Sequence, residues 1–110
     1  MTQPMTNYQQ DLWPVFMSEC EKNLTEIREA IGLVQSGTGR SDTCERLHRA
    51  AHTVKGNAAM MGFHEIEQAA RTLELCAAKL GGPEAARRLD GKELEKAYGV
   101  LEGIVTRVTV

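Results

Sequence analysis

The sequence predicts an all-α fold, an up-down antiparallel bundle of four helices. Apolar residues recur at alternating steps of three and four through four separate segments, which is the period of an amphipathic helix. No stretch alternates apolar and polar residues with the period of two that a half-buried strand needs. The breaks between the segments are short, and short connections place consecutive helices antiparallel. At 110 residues the chain is long enough for one domain with a single core.

The first helical segment has the longest apolar stripe. Asp11 is its predicted N-cap, and Pro14 would then fall in the first turn, where a missing N–H costs little. Residues 1–10 are mostly polar, so they are predicted to form a flexible tail that precedes a bundle domain over residues 11–110. The stripe comprises Trp13, Phe16, Cys20, Leu24, Ile27, Ile31 and Val34.

The next two segments meet at Gly62 and are predicted to form a helical hairpin. Asp42 and Glu45 have the spacing of a capping box at the start of the second helix. The second stripe comprises Cys44, Leu47, Ala51, Val54, Ala58 and Met61, and the third comprises Phe63, Ile66, Ala70, Leu73, Ala77 and Leu80.

The last segment predicts a fourth helix, opened by Asp90 and Glu93 as a second capping box. Pro83 could begin a short extra helix over residues 84–89, since proline suits the first helical position. The fourth stripe comprises Leu94, Ala97, Leu101, Ile104 and Val108.

Composition excludes several classes of function. The chain has 13 Lys and Arg against 15 Asp and Glu, a net charge of −2, so no basic excess attracts nucleic acid or an anionic membrane. It has no long apolar run and no signal-peptide pattern. Its three cysteines include no Cys-x-x-Cys pair, which indicates reduced thiols and a cytoplasmic location.

His52 is predicted to stand on the exposed face of the second helix. At about 100° per residue it lies roughly 130° from the centre of the core stripe. Lys55 follows at i+3 and Arg49 precedes at i−3, so both share this face. Their charges could offset the roughly two negative charges of a phosphoryl group.

Gly56, at i+4 from His52, costs about 1 kcal/mol relative to alanine in mid-helix. Clearance beside the imidazole for an approaching protein would account for that cost. Ala59 and Met60 continue the same side and could form a small apolar patch. We therefore predict Arg49, Gly56, Ala59 and Met60 as partner-docking residues.

Glu74 is predicted to lie beside His52 across the hairpin. Phe63, at the turn, is 11 residues from each of them, so both lie about 16 Å along the helix axes from the turn. A carboxylate that accepts the Nδ1–H would fix the tautomer and leave Nε2 as the nucleophile. Alternatively, Glu74 pairs with Arg71 or Lys79 on its own helix.

The run Leu47–Gly56, with Gly62, Phe63 and Glu74, resembles the histidine-containing phosphotransfer (HPt) domain. It is most similar to the version at the N-terminus of chemotaxis-type histidine kinases. The resemblance covers about residues 11–80, and the fourth helix agrees in pattern only. His48 departs from the aromatic or aliphatic residue expected at its position, which leaves its role open.

The resemblance implies a helical bundle whose surface histidine is phosphorylated at Nε2 and passes the group to an aspartate of a receiver domain. It makes His52 the phosphoacceptor, Lys55 its cationic neighbour, Gly56 the clearance position and Glu74 the orienting acid. A histidine kinase catalytic domain and a response-regulator receiver domain are the implied partners of a monomeric chain.

No Gly-rich nucleotide loop or Mg²⁺ carboxylate cluster is found in the sequence, so the prediction is a phosphocarrier with no cofactor and no ATP site of its own. Three alternatives stay open. The chain could be the phosphoacceptor module of a larger chemotaxis-type kinase, or a helical adaptor that docks without being phosphorylated. It could also bind a metal through His48, His52 and His64.

Overall fold

The computed structural model describes residues 5–38, 41–79 and 92–109. These ranges contain four helices and no strand: α1 (Asn7–Gln35), α2 (Ser41–Met61), α3 (His64–Lys79) and α4 (Lys92–Thr109). Each helix packs against the next along the chain, and a smaller contact between α4 and α1 closes the bundle. The predicted all-α four-helix bundle is confirmed.

The predicted start of the first helix is wrong. Thr6, not Asp11, is the N-cap, because the Gln9 N–H donates to Thr6 Oγ1 and the Thr6 N–H donates to Gln9 Oε1 in a reciprocal capping box. Residues 7–10 are therefore helical and do not belong to a tail. Pro14 lies inside the helix rather than in its first turn, and it removes one backbone N–H from the ladder.

Glycine ends both α1 and α2. Gly62 has φ +75°, its N–H donates to the Ala59 carbonyl, and the Phe63 N–H donates to the Ala58 carbonyl. This is a Schellman motif, which needs a left-handed residue and so favours glycine. Gly37 ends α1 with the same conformation. The tight turn at Gly62 makes α2 and α3 adjacent antiparallel neighbours and sets their register.

The core runs along the bundle axis and draws on all four helices. Ile27, Leu47, Leu73 and Leu101, one from each helix, are fully buried. Burying a side chain of this size contributes about 1.5–3 kcal/mol relative to exposing it, so each helix is held mainly by its apolar face. The described residues of the predicted stripes are buried in the core or packed against it, whereas Leu80 and the side chain of Val108 lie outside the described part of the chain.

An aromatic cluster fixes α1 against the α2–α3 turn. The ring centroids of Trp13, Phe16 and Phe63 lie 5.2–5.9 Å apart, and Phe63 meets both of its neighbours edge to face. Nearby, the Gln9 side chain donates to the backbone carbonyl of Met61 at the end of α2. These contacts hold the hairpin turn rigid at one end of the bundle.

Other predicted features fall at or beyond the edges of the described residues. Asp42 lies in the first turn of α2 rather than at its cap, since the helix begins at Ser41. The short extra helix over residues 84–89 and the Asp90 cap lie outside the described residues. No helix of the described ranges combines the length and the apolar character that a membrane span requires.

Candidate functional site

His52 stands on the solvent side of α2, as its position relative to the core stripe predicts. Its side chain is 63% exposed, whereas its neighbours Ala51 and Val54 are buried in the core. The helix backbone is therefore rigidly packed beneath a ring that is open to a second molecule.

Glu74 of α3 is the direct partner of the His52 ring. Its Oε2 atom is hydrogen-bonded to Nδ1 of His52, and the glutamate as a whole is buried. Both ion-pair partners that Glu74 has within the described residues lie on α2, so it does not pair with Arg71 of its own helix. The contact predicted from the symmetry of the hairpin about Phe63 is present.

Lys55 makes a contact that the sequence did not predict. Its Nζ donates to Glu74 Oε1 at 2.7 Å, and its side chain is 27% exposed. The two oxygens of one carboxylate are thus divided between the histidine ring and the ammonium group. The sequence indicated only that Lys55 shares a helix face with His52. Its long aliphatic stem allows the ammonium group to reach Glu74 on α3 rather than remain beside the imidazole.

The Glu74 carboxylate is held in its charged form. Burial by itself raises the pKa of the Glu74 carboxyl, but hydrogen bonds and charge from Lys55 and His52 outweigh burial and lower the pKa below its ordinary value of 4.5. At neutral pH Glu74 therefore accepts hydrogen bonds only, so the proton between it and the ring belongs to Nδ1 of His52, and in the uncharged form of the ring Nε2 carries no proton. Nε2 is then left with its lone pair exposed.

This lowered pKa predicts an acid-dependent loss of stability. Because the folded-state pKa of Glu74 lies below the unfolded value, its contribution is complete above about pH 4.5 and is lost as pH falls through the folded pKa. Glu74→Gln is expected to reduce the free energy of unfolding by about 1–3 kcal/mol at pH 7. The difference from wild type should shrink below pH 4.

Urea denaturation between pH 3 and pH 7 measures this effect. Glu29→Gln, which removes an exposed carboxylate from the interior of α1, serves as the control and should change stability little at any pH. A constant difference between wild type and Glu74→Gln across this pH range would contradict the assigned pKa direction.

His48 lies one helical turn before His52 and is also exposed. The two imidazole rings are nearly parallel, with planes 9° apart and centroids 6.4 Å apart. The sequence left the role of His48 open, and the structure places it alongside the proposed phosphoacceptor.

The four predicted docking residues lie on the same exposed side of α2. Arg49, Gly56, Ala59 and Met60 are all exposed, and Met60 is 69% exposed despite its apolar side chain. A Cβ added at Gly56 would meet nothing within 4 Å outside its own helix. The glycine therefore leaves open space beside the ring rather than relieving an internal contact.

The described residues include no group of three or more His, Cys, Asp or Glu side chains that could hold a metal ion. His64, the third ligand of the metal-binding alternative, begins α3 near the hairpin turn. Its ring faces Glu67 at 3.5 Å, and its side chain is 86% exposed.

A profile of the Hpt domain matches residues 11–108. The chain therefore belongs to the Hpt domain family, the histidine phosphotransfer modules of two-component signalling. The predicted family is thus confirmed.

Two similar proteins are chemotaxis proteins CheA. The one from Halobacterium salinarum is 31% identical over 64 residues, and the one from Treponema pallidum is 31% identical over 67 residues. The alignments cover 58% and 57% of this chain but only 10% and 8% of those proteins. No solved structure gives a significant match.

Proposed function

We propose that this chain is a phosphocarrier in which Nε2 of His52 accepts a phosphoryl group and passes it to an aspartate of a response regulator. Hpt domains in general exchange phosphoryl groups with histidine kinases and response regulators. The observation that carries the proposal for this chain is an exposed imidazole whose Nδ1 is bound to a buried carboxylate. That arrangement frees the opposite nitrogen for attack.

The chemistry follows from the charge that forms on the ring. When the Nε2 lone pair bonds to phosphorus, the bond from phosphorus to the donor breaks and the neutral imidazole becomes an imidazolium. The Glu74 carboxylate, already bound to the Nδ1–H, stabilises that positive charge as it develops. Because a positively charged ring is also the better leaving group, the same contact assists transfer onward to the receiver.

Lys55 compensates the negative charge of Glu74. An uncompensated Glu74 carboxylate would repel an incoming phosphoryl group, which carries about two negative charges. The 2.7 Å bond from Lys55 Nζ offsets that charge and holds the carboxylate in place. Lys55 thus acts through Glu74, in addition to the direct electrostatic role predicted from the sequence.

The partner supplies the remaining catalytic groups. Hpt domains carry phosphoryl groups without an ATP site of their own. The receiver would dock over the clearance beside Gly56 and over Ala59 and Met60, and its aspartate and Mg²⁺ site would meet the exposed ring. Because the group must be passed on, the interface is expected to be small and transient.

We further place the chain in a cytoplasmic chemotaxis-type pathway, on the strength of its similarity to the two CheA proteins. In that setting it acts either as a separate phosphocarrier or as the phosphoacceptor module of a longer kinase. Phosphorylation by a kinase catalytic domain added in trans distinguishes both from an adaptor that only docks.

A transfer assay tests the proposal directly. The chain is phosphorylated by a candidate kinase with labelled ATP, purified from the kinase, and mixed with receiver domains. Label should leave the chain and appear on a receiver aspartate within seconds to minutes. A chain that takes no label from any kinase yet still binds receivers would favour the adaptor function.

Gly56→Leu is expected to slow transfer to the receiver without destabilising the fold. Because the space around Gly56 is open, leucine should remove up to about 1 kcal/mol of glycine cost and leave the melting temperature equal or a few degrees higher. Transfer to the receiver should nevertheless slow, since the new side chain crowds the approach to His52. Stopped-flow or quench-flow transfer and thermal denaturation measure the two effects.

The chain offers a matched control in Gly99→Leu. Gly99 is also an exposed mid-helix glycine with nothing within 4 Å, but it lies on α4. This variant should gain stability in the same way and transfer at the wild-type rate. Equal transfer rates for Gly56→Leu and Gly99→Leu would remove the clearance argument.

A further inference from the structure

The His52 ring lies next to a second imidazole on its own helix. His48 precedes it by four residues, and positions four apart on a helix are neighbours. Side chains also lean toward the helix N-terminus, so the His52 ring is directed toward the turn that carries His48. A bond from a ring nitrogen to phosphorus, a P–O bond and one N–H···O hydrogen bond together can bridge the 6.4 Å between the ring centroids.

A phosphoryl group on Nε2 needs a hydrogen-bond donor with positive charge, because it brings about two negative charges and three acceptor oxygens. Glu74 occupies the Nδ1 side of the ring, so the group projects away from that carboxylate. Lys55 is bonded to Glu74 and is only partly exposed. His48 is exposed, parallel to His52, and becomes a cation with two N–H donors when it is protonated.

The other charged groups around His48 belong to all three helices of this surface. Glu74 is bonded to His52 and Lys55, and Glu26 of α1 pairs with Arg46 at 3.4 Å. On α2 itself, Glu45 lies three residues before His48 and Arg49 directly follows it. Carboxylate, ammonium and guanidinium groups keep their charge near neutral pH, whereas an imidazole gains or loses its charge in this range.

We propose that His48 is a second phosphoryl-binding residue, which in its protonated form donates an N–H hydrogen bond to the phosphoryl group on His52. This inference rests on the proposed function, in which His52 carries that group. If His48 binds the group in this way, phosphorylation of His52 and protonation of His48 stabilise each other. Phosphorylation of His52 is then thermodynamically more favourable when His48 is protonated, at lower pH.

A small phosphoryl donor tests this without a kinase or receiver. With potassium phosphoramidate, Nε2 of His52 bonds to phosphorus, the P–N bond of the donor breaks, and its nitrogen takes up a proton and leaves as ammonia. The ring resonances of His48 are then titrated by NMR in the free and phosphorylated ¹⁵N-labelled chain.

The titration midpoint of the His48 ring should rise on phosphorylation, by about half a pH unit at physiological salt and about one unit at low salt. The midpoint of the ³¹P titration, which reports the ionisation of the phosphoryl group itself, should be lower in wild type than in His48→Gln, because a neighbouring cation favours the doubly charged form. His64, at the other end of the hairpin, is the internal control and should keep its midpoint.

The outcomes separate the two proposals. Phosphorylation of His52 with an unchanged His48 midpoint, or the same ³¹P midpoint in wild type and His48→Gln, overturns this inference alone. Failure of phosphoramidate to modify His52 overturns the proposed function and this inference with it.

Discussion

His52→Gln is expected to abolish phosphate uptake by this chain. Glutamine matches the imidazole in polarity and suits a helix, but it has no nucleophilic nitrogen with a free lone pair. The fold should persist, because the His52 ring is exposed and a glutamine amide can still donate to Glu74, and the loss of stability should not exceed about 1–3 kcal/mol. Label from ATP through a kinase, or from phosphoramidate, should fall to background.

The measurement is the amount and chemical nature of bound label. Wild type should carry one phosphoryl group in an acid-labile, base-stable linkage, as expected for a phosphohistidine. His64→Gln is the matched control, because it removes an exposed imidazole far from the site and keeps His52, whereas His48→Gln tests whether the neighbouring ring is the acceptor. Uptake by His52→Gln together with its loss in His48→Gln would move the phosphoacceptor to the other ring.

Glu74→Ala is expected to slow phosphorylation of His52 by roughly 10- to 100-fold while the fold persists. The substitution removes a charge-assisted hydrogen bond to the ring, and such bonds contribute about 1.5–3 kcal/mol. That contribution is largest when the imidazolium forms, so its loss raises the barrier, at about tenfold for each 1.4 kcal/mol. The neutral ring should also lose its preference for the tautomer with the proton on Nδ1.

Ring ¹⁵N chemical shifts report the tautomer of His52 directly, and phosphoramidate gives the rate without a partner. Glu65→Ala is the matched control, because it removes an exposed carboxylate from α3 and should change neither quantity. A Glu74→Ala chain with the wild-type tautomer and rate would show that the contact is structural, and the orienting role would have to be dropped.

The pairing of His52 with Glu74 shows how far sequence reasoning reaches into this site. An error of one helical turn in the register of α2 against α3 would have separated the two side chains. The tight turn at Gly62 leaves little freedom in that register. Two residues at equal distance from such a turn must lie at the same height on adjacent helices. The geometry of regular helices was therefore enough to bring one imidazole and one carboxylate together.

The start of α1 shows where that reasoning fails. Asp11 before an apolar stripe and Pro14 just inside it form a good local signal for a helix start. The true start uses the capping box of Thr6 and Gln9, whose side chain also donates to the Met61 carbonyl of another helix. The contact between Gln9 and Met61, which are far apart in the chain, occurs in a turn of α1 that local propensity had placed before the start of the helix.

The sequence by itself determined that the chain is a bundle of amphipathic helices, and that His52 faces solvent on one of them, because a period of 3.6 residues fixes which side of each helix is buried. Only the tertiary structure decided which neighbouring group each flexible side chain contacts. Lys55 bends to Glu74, and His48 aligns its ring with His52. Flexible side chains choose partners according to the charge and burial that the packed helices create, and neither quantity exists before the helices meet.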